Sequence, residues 1–214
     1  MIVNENLTSY IHSLEKDNSP ELEAIRAEAV EDGVPIIRRE MESFLSVLLM
    51  LKKPLRILEI GTGVAYSAIF MALNSKAEII TVENYEKRLI KAKENINSMG
   101  LKERINLIEA DAVEKVREMA EASETFDMIF LDGPKAQYIN MLPDLTALLP
   151  AGGILLADNV LQEGHISDSR FMTERRDRTV HQRMREFIWE VKHSEHFETS
   201  VITIGDGVTL SVKE

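Results

Sequence analysis

The chain contains no cysteine, which excludes disulfide bonds and thiolate-ligated metal centres. It also lacks an apolar run of the length that spans a bilayer. Residues 1–6 contain no basic stretch followed by an apolar one, which argues against a secretory signal. Together these absences predict a protein that works in a reducing cytoplasm and makes no contact with a membrane.

Positively charged residues are fewer than negatively charged ones. The chain has 25 Lys and Arg residues and 36 Asp and Glu residues, which gives a formal net charge of −11. This balance argues against nonspecific nucleic-acid binding by the whole surface, although it permits a local basic patch. A length of 214 residues, of which 44% are hydrophobic, suffices for a sizeable α/β core. Without repeats or low-complexity linkers, we predict one domain over residues 1–214, with an N-terminal helical extension (1–52) and a core (53–214).

The expected secondary structure changes character along the chain. Ser19, Pro20 and Glu21 form a typical helix start, and residues 40–51 predict a mostly buried helix. Apolar runs then alternate with helical segments, which predicts parallel strands at 56–60, 78–82, 105–108, 126–131 and 154–157. A helix with one buried face is expected over 180–191. Residues 201–204 and 208–212 alternate around Gly-Asp-Gly and predict a hairpin. The result is an α/β fold with a seven-stranded, mostly parallel sheet and a C-terminal antiparallel hairpin.

A glycine turn follows the first expected strand, in the segment LEIGTGVAYS. Gly61 allows close backbone approach to a ligand, and the helix that follows offers unpaired N–H groups. Tyr66 stands where a dinucleotide-binding fingerprint would require its third glycine, so that fingerprint fits poorly. Glu59, just before the turn, suits the ammonium group of a methionine moiety. The alternative is a plain tight turn between a strand and a helix.

Acidic residues also end the next two expected strands. Glu83 could accept hydrogen bonds from both hydroxyls of a ribose, and Asp111 with Ala112 is placed to meet an adenine edge. The alternatives are a solvated carboxylate at Glu83 and an ordinary helix N-cap at Asp111. Ligands of parallel sheets bind at the carboxyl ends of the strands, so these positions together predict a cofactor site.

Oxygen-bearing side chains follow the fourth and fifth expected strands. Asp132, Asp158 and Asn159 are the hard ligands that Mg²⁺, Ca²⁺ or Mn²⁺ prefer. The alternative for each is a turn-forming residue, which is common after strands. Lys135 lies three residues after Asp132, where it could lower the pKa of a substrate hydroxyl or act as its base. Its alternative is an ordinary surface lysine.

The segments LEIGTGVAYSA, EADA, FLDGPKAQY and LLADNVL resemble the metal-dependent O-methyltransferases typified by catechol and caffeoyl-coenzyme A O-methyltransferases. The resemblance extends from about Val34 to the final hairpin. It implies a Rossmann-like fold, S-adenosylmethionine (SAM) as methyl donor, and Mg²⁺ or another divalent cation bound by Asp132, Asp158 and Asn159. It also implies a catalytic role for Lys135 and Asp132. The implied cofactor pocket comprises Ile37, Ser67, Glu83, Asp111, Ala112 and Asp132, added to Glu59 and Gly61.

Within this family, the chain most resembles small bacterial tRNA 5-hydroxyuridine methyltransferases, which methylate O5 of a wobble uridine. The segments that carry this likeness are VPI, LDGPKAQY, DNVL and IGDGVTLS. The chain departs from the pattern of this family at two places. Ala65 stands in the glycine turn where a third glycine is common, and the loop after Asp132 contains Gly133-Pro134. The resemblance also suggests a homodimer formed through the N-terminal helices.

An arginine-rich segment bears on the substrate. Residues 168–185 contain Arg170, Arg175, Arg176 and Arg178, which could contact the phosphates of a tRNA anticodon loop. The alternative is a solvated helix face with internal salt bridges. Three functions follow: an O-methyltransferase that acts on tRNA, one that acts on a catechol or related phenol, and a non-catalytic SAM-binding module.

Overall fold

The structure is a computed structural model and describes residues 4–169 and 174–214. In this part of the chain, the α-helices are α1 (Glu5–His12), α2 (Pro20–Glu31), α3 (Arg39–Lys52), α4 (Tyr66–Leu73), α5 (Glu86–Ser98), α6 (Ala112–Glu121), α7 (Tyr138–Ala147) and α8 (Arg178–His193). The strands are β1 (Arg56–Ile60), β2 (Glu78–Glu83), β3 (Ile105–Glu109), β4 (Met128–Leu131), β5 (Ile154–Ala157), β6 (Phe197–Ile202) and β7 (Val208–Lys213). Short 3₁₀ helices cover Lys135–Gln137 and Gln162–Ser167.

The strands have the order β3-β2-β1-β4-β5-β7-β6. By its internal contacts the chain divides into two compact units, Glu5–Ala112 and Val113–Glu214, called here the N-terminal and C-terminal units. The expected fold class is confirmed: the sheet has seven strands, its central strands are parallel, and an antiparallel hairpin ends it.

In the N-terminal unit, β1 and β3 both pair in parallel with β2. The four residues of β1 from Ile57 onward, three apolar residues and Glu59, are buried, as is typical of a strand covered on both faces of the sheet. Helix α2 begins as expected: Ser19 Oγ accepts from Leu22 N at 3.3 Å and Pro20 occupies the first turn. Helices α2 and α3 pack on α4 and α1 packs on α3, so α2 and α3 contribute to this unit's core.

In the C-terminal unit, β4 and β5 are parallel, whereas β7 is antiparallel to both β5 and β6. Helices α7 and α8 pack together through Tyr138 and Phe187, whose rings meet edge to face at 5.4 Å. Pro143 lies within α7. None of the helices in residues 4–169 and 174–214 is long and apolar enough to cross a membrane.

Candidate functional site

The glycine turn between β1 and α4 is built from backbone conformations that side chains disfavour. Gly61 and Gly63 have φ of 98° and 55°, and Ala65, the N-cap of α4, has a left-handed φ of 66°. A left-handed alanine costs about 1–2 kcal/mol, so the departure from glycine at this position has a conformational cost. Gly61 N donates to Val82 O at 3.0 Å, which ties the turn to the end of β2.

Glu59 is fully buried behind this turn. Ser67 Oγ and Thr81 Oγ1 each donate to one of its carboxylate oxygens at 2.5 Å. Burial raises the pKa of Glu59 to about 7, although the two hydroxyl donors act to lower it. The carboxylate therefore joins Ser67, on the first turn of α4, to Thr81 of β2, and its contact with a ligand's ammonium group stays a prediction.

Glu83 joins the glycine turn to the end of β2. Gly63 N donates to Oε2 at 3.0 Å, while Asn84 N and Tyr85 N donate to Oε1 at 3.0 Å. A carboxylate oxygen has two lone pairs, so Oε2 keeps one for a further donor such as a ribose hydroxyl. The glycine turn that contains Gly61 is thus joined to the predicted cofactor residue Glu83 through Gly63, within the N-terminal unit.

The remaining cofactor candidates of this unit have different environments. Ala110 N donates to Glu83 O at 3.1 Å, which places Asp111, an exposed residue, just beyond the Glu83 end of the strand pair. Ala112 is buried as the first residue of α6. Ile37 is also buried, and its carbonyl accepts from Arg26 Nη2 at 3.0 Å.

In the C-terminal unit, Asp158 and Asn159 follow β5 as expected. Asp158 is buried, and its Oδ1 accepts from Asn159 N at 2.7 Å. Burial raises the pKa of Asp158 to about 6, while hydrogen bonds from Asn159 and the charge of Lys135 lower it. Asn159 has a left-handed φ of 57°, a conformation that asparagine tolerates better than most residues.

Asp132 follows β4, and Lys135 begins the 3₁₀ helix after it; both are half-buried. Sequence reasoning missed Tyr138, which is fully buried and donates to Leu131 O at 3.0 Å. Burial and the charges of Asp132 and Asp158 raise the pKa of Tyr138 well above its usual value. The Tyr138 hydroxyl therefore interacts electrostatically with both Asp132 and Asp158, the two predicted carboxylate ligands. An aromatic residue gave no sequence signal for that role.

The candidate metal ligands are two carboxylates and one amide. The described residues contain no cluster of three or more His, Cys, Asp or Glu suited to a metal ion. A donor set of Asp132, Asp158 and Asn159 is still made of hard oxygens, which fits a divalent cation that retains water and substrate oxygens as further ligands.

The turn between β6 and β7 supports the Asn159 loop. Val160 N donates to Gly207 O, and Leu161 N donates to Asp206 O, each at 2.9 Å. Gly207 has a φ of +83°, and a Cβ there would lie 2.3 Å from Leu161 Cγ. Only glycine fits this contact, so the Gly-Asp-Gly segment holds the backbone that carries Asn159.

The arginine-rich segment is only partly solvent-facing. Arg170 lies outside the described residues. Arg175 and Arg176 are exposed, and Arg176 forms ion pairs with Glu174 and Asp177 at 3.0 and 3.5 Å. Arg178 is the first residue of α8. Farther along this helix, Arg183 Nη1 donates to Ala136 O at 3.0 Å and Arg185 Nη1 donates to Ile166 O at 2.9 Å, so these two arginines have structural roles.

Comparison with known proteins places the chain among methyltransferases. The O-methyltransferase family profile matches residues 12–214. A catechol O-methyltransferase of Niastella koreensis is 31% identical over 169 residues, 77% of this chain and 76% of that protein. A caffeoyl-CoA O-methyltransferase of Populus kitakamiensis is 31% identical over 175 residues, covering 78% and 73%. The structure of a Podospora anserina methyltransferase bound to S-adenosylhomocysteine (SAH) superposes with a TM-score of 0.85 at 25% identity, covering 99% and 97%.

Proposed function

The chain belongs to the O-methyltransferase family and is a SAM-dependent enzyme of the caffeoyl-CoA and catechol type, and from this premise we propose that it methylates O5 of 5-hydroxyuridine at the tRNA wobble position with the help of Mg²⁺. The observation that supports an RNA substrate is the position of the arginine-rich segment along the chain, where it leads directly into α8. Helix α8 packs on the 3₁₀ helix that begins at Lys135, through the bond from Arg183 to Ala136.

Helix α8 continues this segment and contacts the 3₁₀ helix that contains the proposed catalytic lysine. Arg178 and Arg183 are five residues apart on one helix, a rise of about 7.5 Å. The turn that carries Arg175 and Arg176 therefore directly precedes the helix that contacts the 3₁₀ helix of Lys135. A phosphate backbone needs such cations in a chain whose net charge is −11, whereas a small catechol does not. A wobble base is single-stranded and can enter a pocket.

Asp132, Asp158 and Asn159 would hold the metal ion, which when bound lowers the pKa of a coordinated hydroxyl and orients it. Burial of Asp158 favours this role, because a bound cation removes the cost of its buried charge. Lys135 either takes the proton from the 5-hydroxyl or, as an ammonium group, stabilises the oxyanion that remains. Lys135→Arg separates these roles, because arginine keeps the charge and cannot accept a proton.

The reaction itself is a direct displacement. The substrate loses its hydroxyl proton, its oxygen forms a bond to the sulfonium methyl group, and the bond from that carbon to sulfur breaks to release SAH. No group on the protein changes oxidation state or forms a covalent intermediate. The protein contributes by alignment of the two reactants and by the electrostatic field of its ligands.

The test is methyl transfer from labelled SAM to tRNA that bears 5-hydroxyuridine, with a simple catechol in parallel. Arg175→Glu/Arg176→Glu should reduce tRNA labelling by at least about 30-fold, because each lost phosphate contact costs affinity and each glutamate adds repulsion. Lys76→Glu/Lys102→Glu makes the same charge change at exposed sites of the N-terminal unit and should retain most activity. Equal losses in both variants would remove the RNA argument.

A catechol or phenol substrate is the second candidate, because a relative of 31% identity is a catechol O-methyltransferase. It predicts labelling of the catechol alone, with no effect of the arginine changes. A non-catalytic SAM-binding module, the third hypothesis, predicts binding without turnover of either substrate.

We also propose that the protein is a homodimer. Val47, Met50 and Leu51 recur at helical spacing on α3 and are 55%, 68% and 78% exposed, and Leu55 follows at 71%. Such an apolar stripe suits a second copy of the chain. Met50→Asp should shift the mass measured by light scattering from dimer to monomer, whereas Ile90→Asp, at an exposed site on α5, should not.

A further inference from the structure

A buried polar cluster joins the N-terminal helices to the first residue of α4. Tyr66 is 1% exposed, and its hydroxyl donates to Glu42 Oε1 at 2.7 Å. Arg26 Nε donates to that hydroxyl at 3.0 Å, and the guanidinium lies 4.7 Å from the centre of the Tyr66 ring. Arg26 also forms an ion pair with Glu42, which is 5% exposed. Charged groups are rarely buried to this extent unless they are paired and hydrogen-bonded, as these are.

The same arginine reaches a third element. Its Nη2 donates to Ile37 O at 3.0 Å, in the segment between α2 and α3. Arg26 therefore binds simultaneously to α3 through Glu42, to α4 through Tyr66 and to the Ile37 segment through a backbone carbonyl. A guanidinium is suited to this, because its planar set of five N–H donors can serve several acceptors in fixed directions.

Two of these contacts adjoin the proposed cofactor pocket. Tyr66 directly precedes Ser67, whose hydroxyl donates to Glu59, and directly follows the left-handed Ala65 that closes the glycine turn. Ile37 is the residue expected to cover the cofactor. The N-cap residue Ala65 makes no side-chain bond to the N-terminus of α4. The side chains that bond to Tyr66 come instead from α2 and α3.

We propose that Arg26 is a positioning residue that fixes the Ile37 segment against the first turn of α4 and thereby sets the affinity for the methionine end of the cofactor. The proposal rests on the assignment of the SAM pocket to Ile37, Glu59 and Ser67. It concerns the amino-acid portion of the ligand, because Glu59 is assigned to the ammonium group of that portion and Ser67 donates to Glu59, whereas Glu83 and Asp111 are assigned to the nucleoside.

The test must separate positioning from simple stabilisation. Arg26→Met alone leaves Glu42 as a buried charge with a lost partner, and it should lower the melting temperature. Arg26→Met/Glu42→Met replaces the ion pair by apolar groups and should recover part of the lost melting temperature, because the Tyr66 hydroxyl then keeps only Asn18 Nδ2 as a partner, at 3.4 Å. Neither variant can hold the Ile37 carbonyl. Glu28→Met/Lys91→Met removes an ion pair that joins the same helix α2 to α5 at the surface and is the matched control.

Calorimetry would give the Kd of SAH and of 5′-methylthioadenosine, which lacks the amino-acid portion, without metal or RNA. The double variant should bind SAH about tenfold more weakly, as expected for a lost charge-assisted hydrogen bond, and methylthioadenosine within about twofold of the wild type. The control should bind both normally, and Arg26→Lys should recover only part of the SAH affinity, because one ammonium cannot serve all three acceptors.

A stable double variant with wild-type affinity for SAH would overturn the proposal, as would an equal loss for both ligands. Wild-type protein that binds no SAH would refute the pocket assignment and this proposal with it. The tRNA and metal proposals fail in a different assay, because nothing in this test depends on either partner.

Discussion

Replacement of Glu59 by glutamine should change how the stability of the protein depends on pH. The carboxyl is fully buried, and burial raises its pKa from an ordinary value of 4.5 to about 7. Between these values the folded protein holds a proton that the unfolded chain has lost, so stability falls as pH rises and the loss is complete above about pH 7. Full ionisation thus costs about 3 kcal/mol, at 1.36 kcal/mol for each pKa unit.

Glutamine keeps the shape and can hydrogen bond to both Ser67 and Thr81, since each hydroxyl can donate or accept. It has no charge to bury, so the pH-dependent loss should vanish. The sequence pI is about 5.0, and the useful range therefore begins near pH 5.5. From pH 5.5 to pH 8.0, Glu59 alone should cost the wild type about 2 kcal/mol that Glu59→Gln does not lose.

Urea denaturation at a series of pH values measures this difference directly. Glu121→Gln removes an exposed carboxyl at the end of α6 and should follow the wild-type curve. Parallel curves for the wild type and Glu59→Gln would refute the argument, because they would mean that the buried carboxyl has the same pKa in the folded and unfolded states.

Two further predictions concern the C-terminal unit. Gly207→Ala should lower the free energy of unfolding, measured by urea denaturation, by more than about 2 kcal/mol, because the added Cβ would overlap Leu161. Gly152→Ala has open space around its Cβ and should lower it by only about 1 kcal/mol through backbone strain. Equal losses in the two variants would contradict the close contact at Gly207. Tyr138→Phe leaves Leu131 O without one donor and should cost about 1 kcal/mol, and an unchanged midpoint of unfolding would show that the bond contributes nothing.

The sequence predicted those strands and helices whose signals lie within a few neighbouring residues. The apolar runs became strands, which are buried in β1, β2, β4 and β5 but largely not in β3, and Ser19 caps α2 as its side chain and the following proline indicated. Boundaries differ by a few residues: β4 begins at Met128, where residue 126 was expected, and β6 begins at Phe197, where residue 201 was expected. Helix α1 was not predicted, because its eight residues have no strong start or stop signal.

Contacts between distant residues could not be read from the sequence. Arg26 and Tyr66 are 40 residues apart, and nothing local pairs them. Ala65 and Asn159 both have left-handed backbone conformations. Alanine disfavours this conformation and asparagine only tolerates it, so the surrounding fold imposes it and the local sequence does not predict it. Glu59 and Asp158 were chosen for their chemistry, whereas their raised pKa values depend on burial that only the folded structure provides.

The most direct test of the metal-dependent mechanism compares the wild type with Asp158→Ala. Methyl transfer from labelled SAM would be measured with Mg²⁺ and with EDTA, and SAH binding would be measured by calorimetry. We expect wild-type activity to require Mg²⁺, Asp158→Ala to be inactive with SAH affinity largely retained, and Asp144→Ala, on α7, to behave as the wild type. Full activity of Asp158→Ala with Mg²⁺, or of the wild type in EDTA, would contradict the assignment of Asp132, Asp158 and Asn159 as metal ligands.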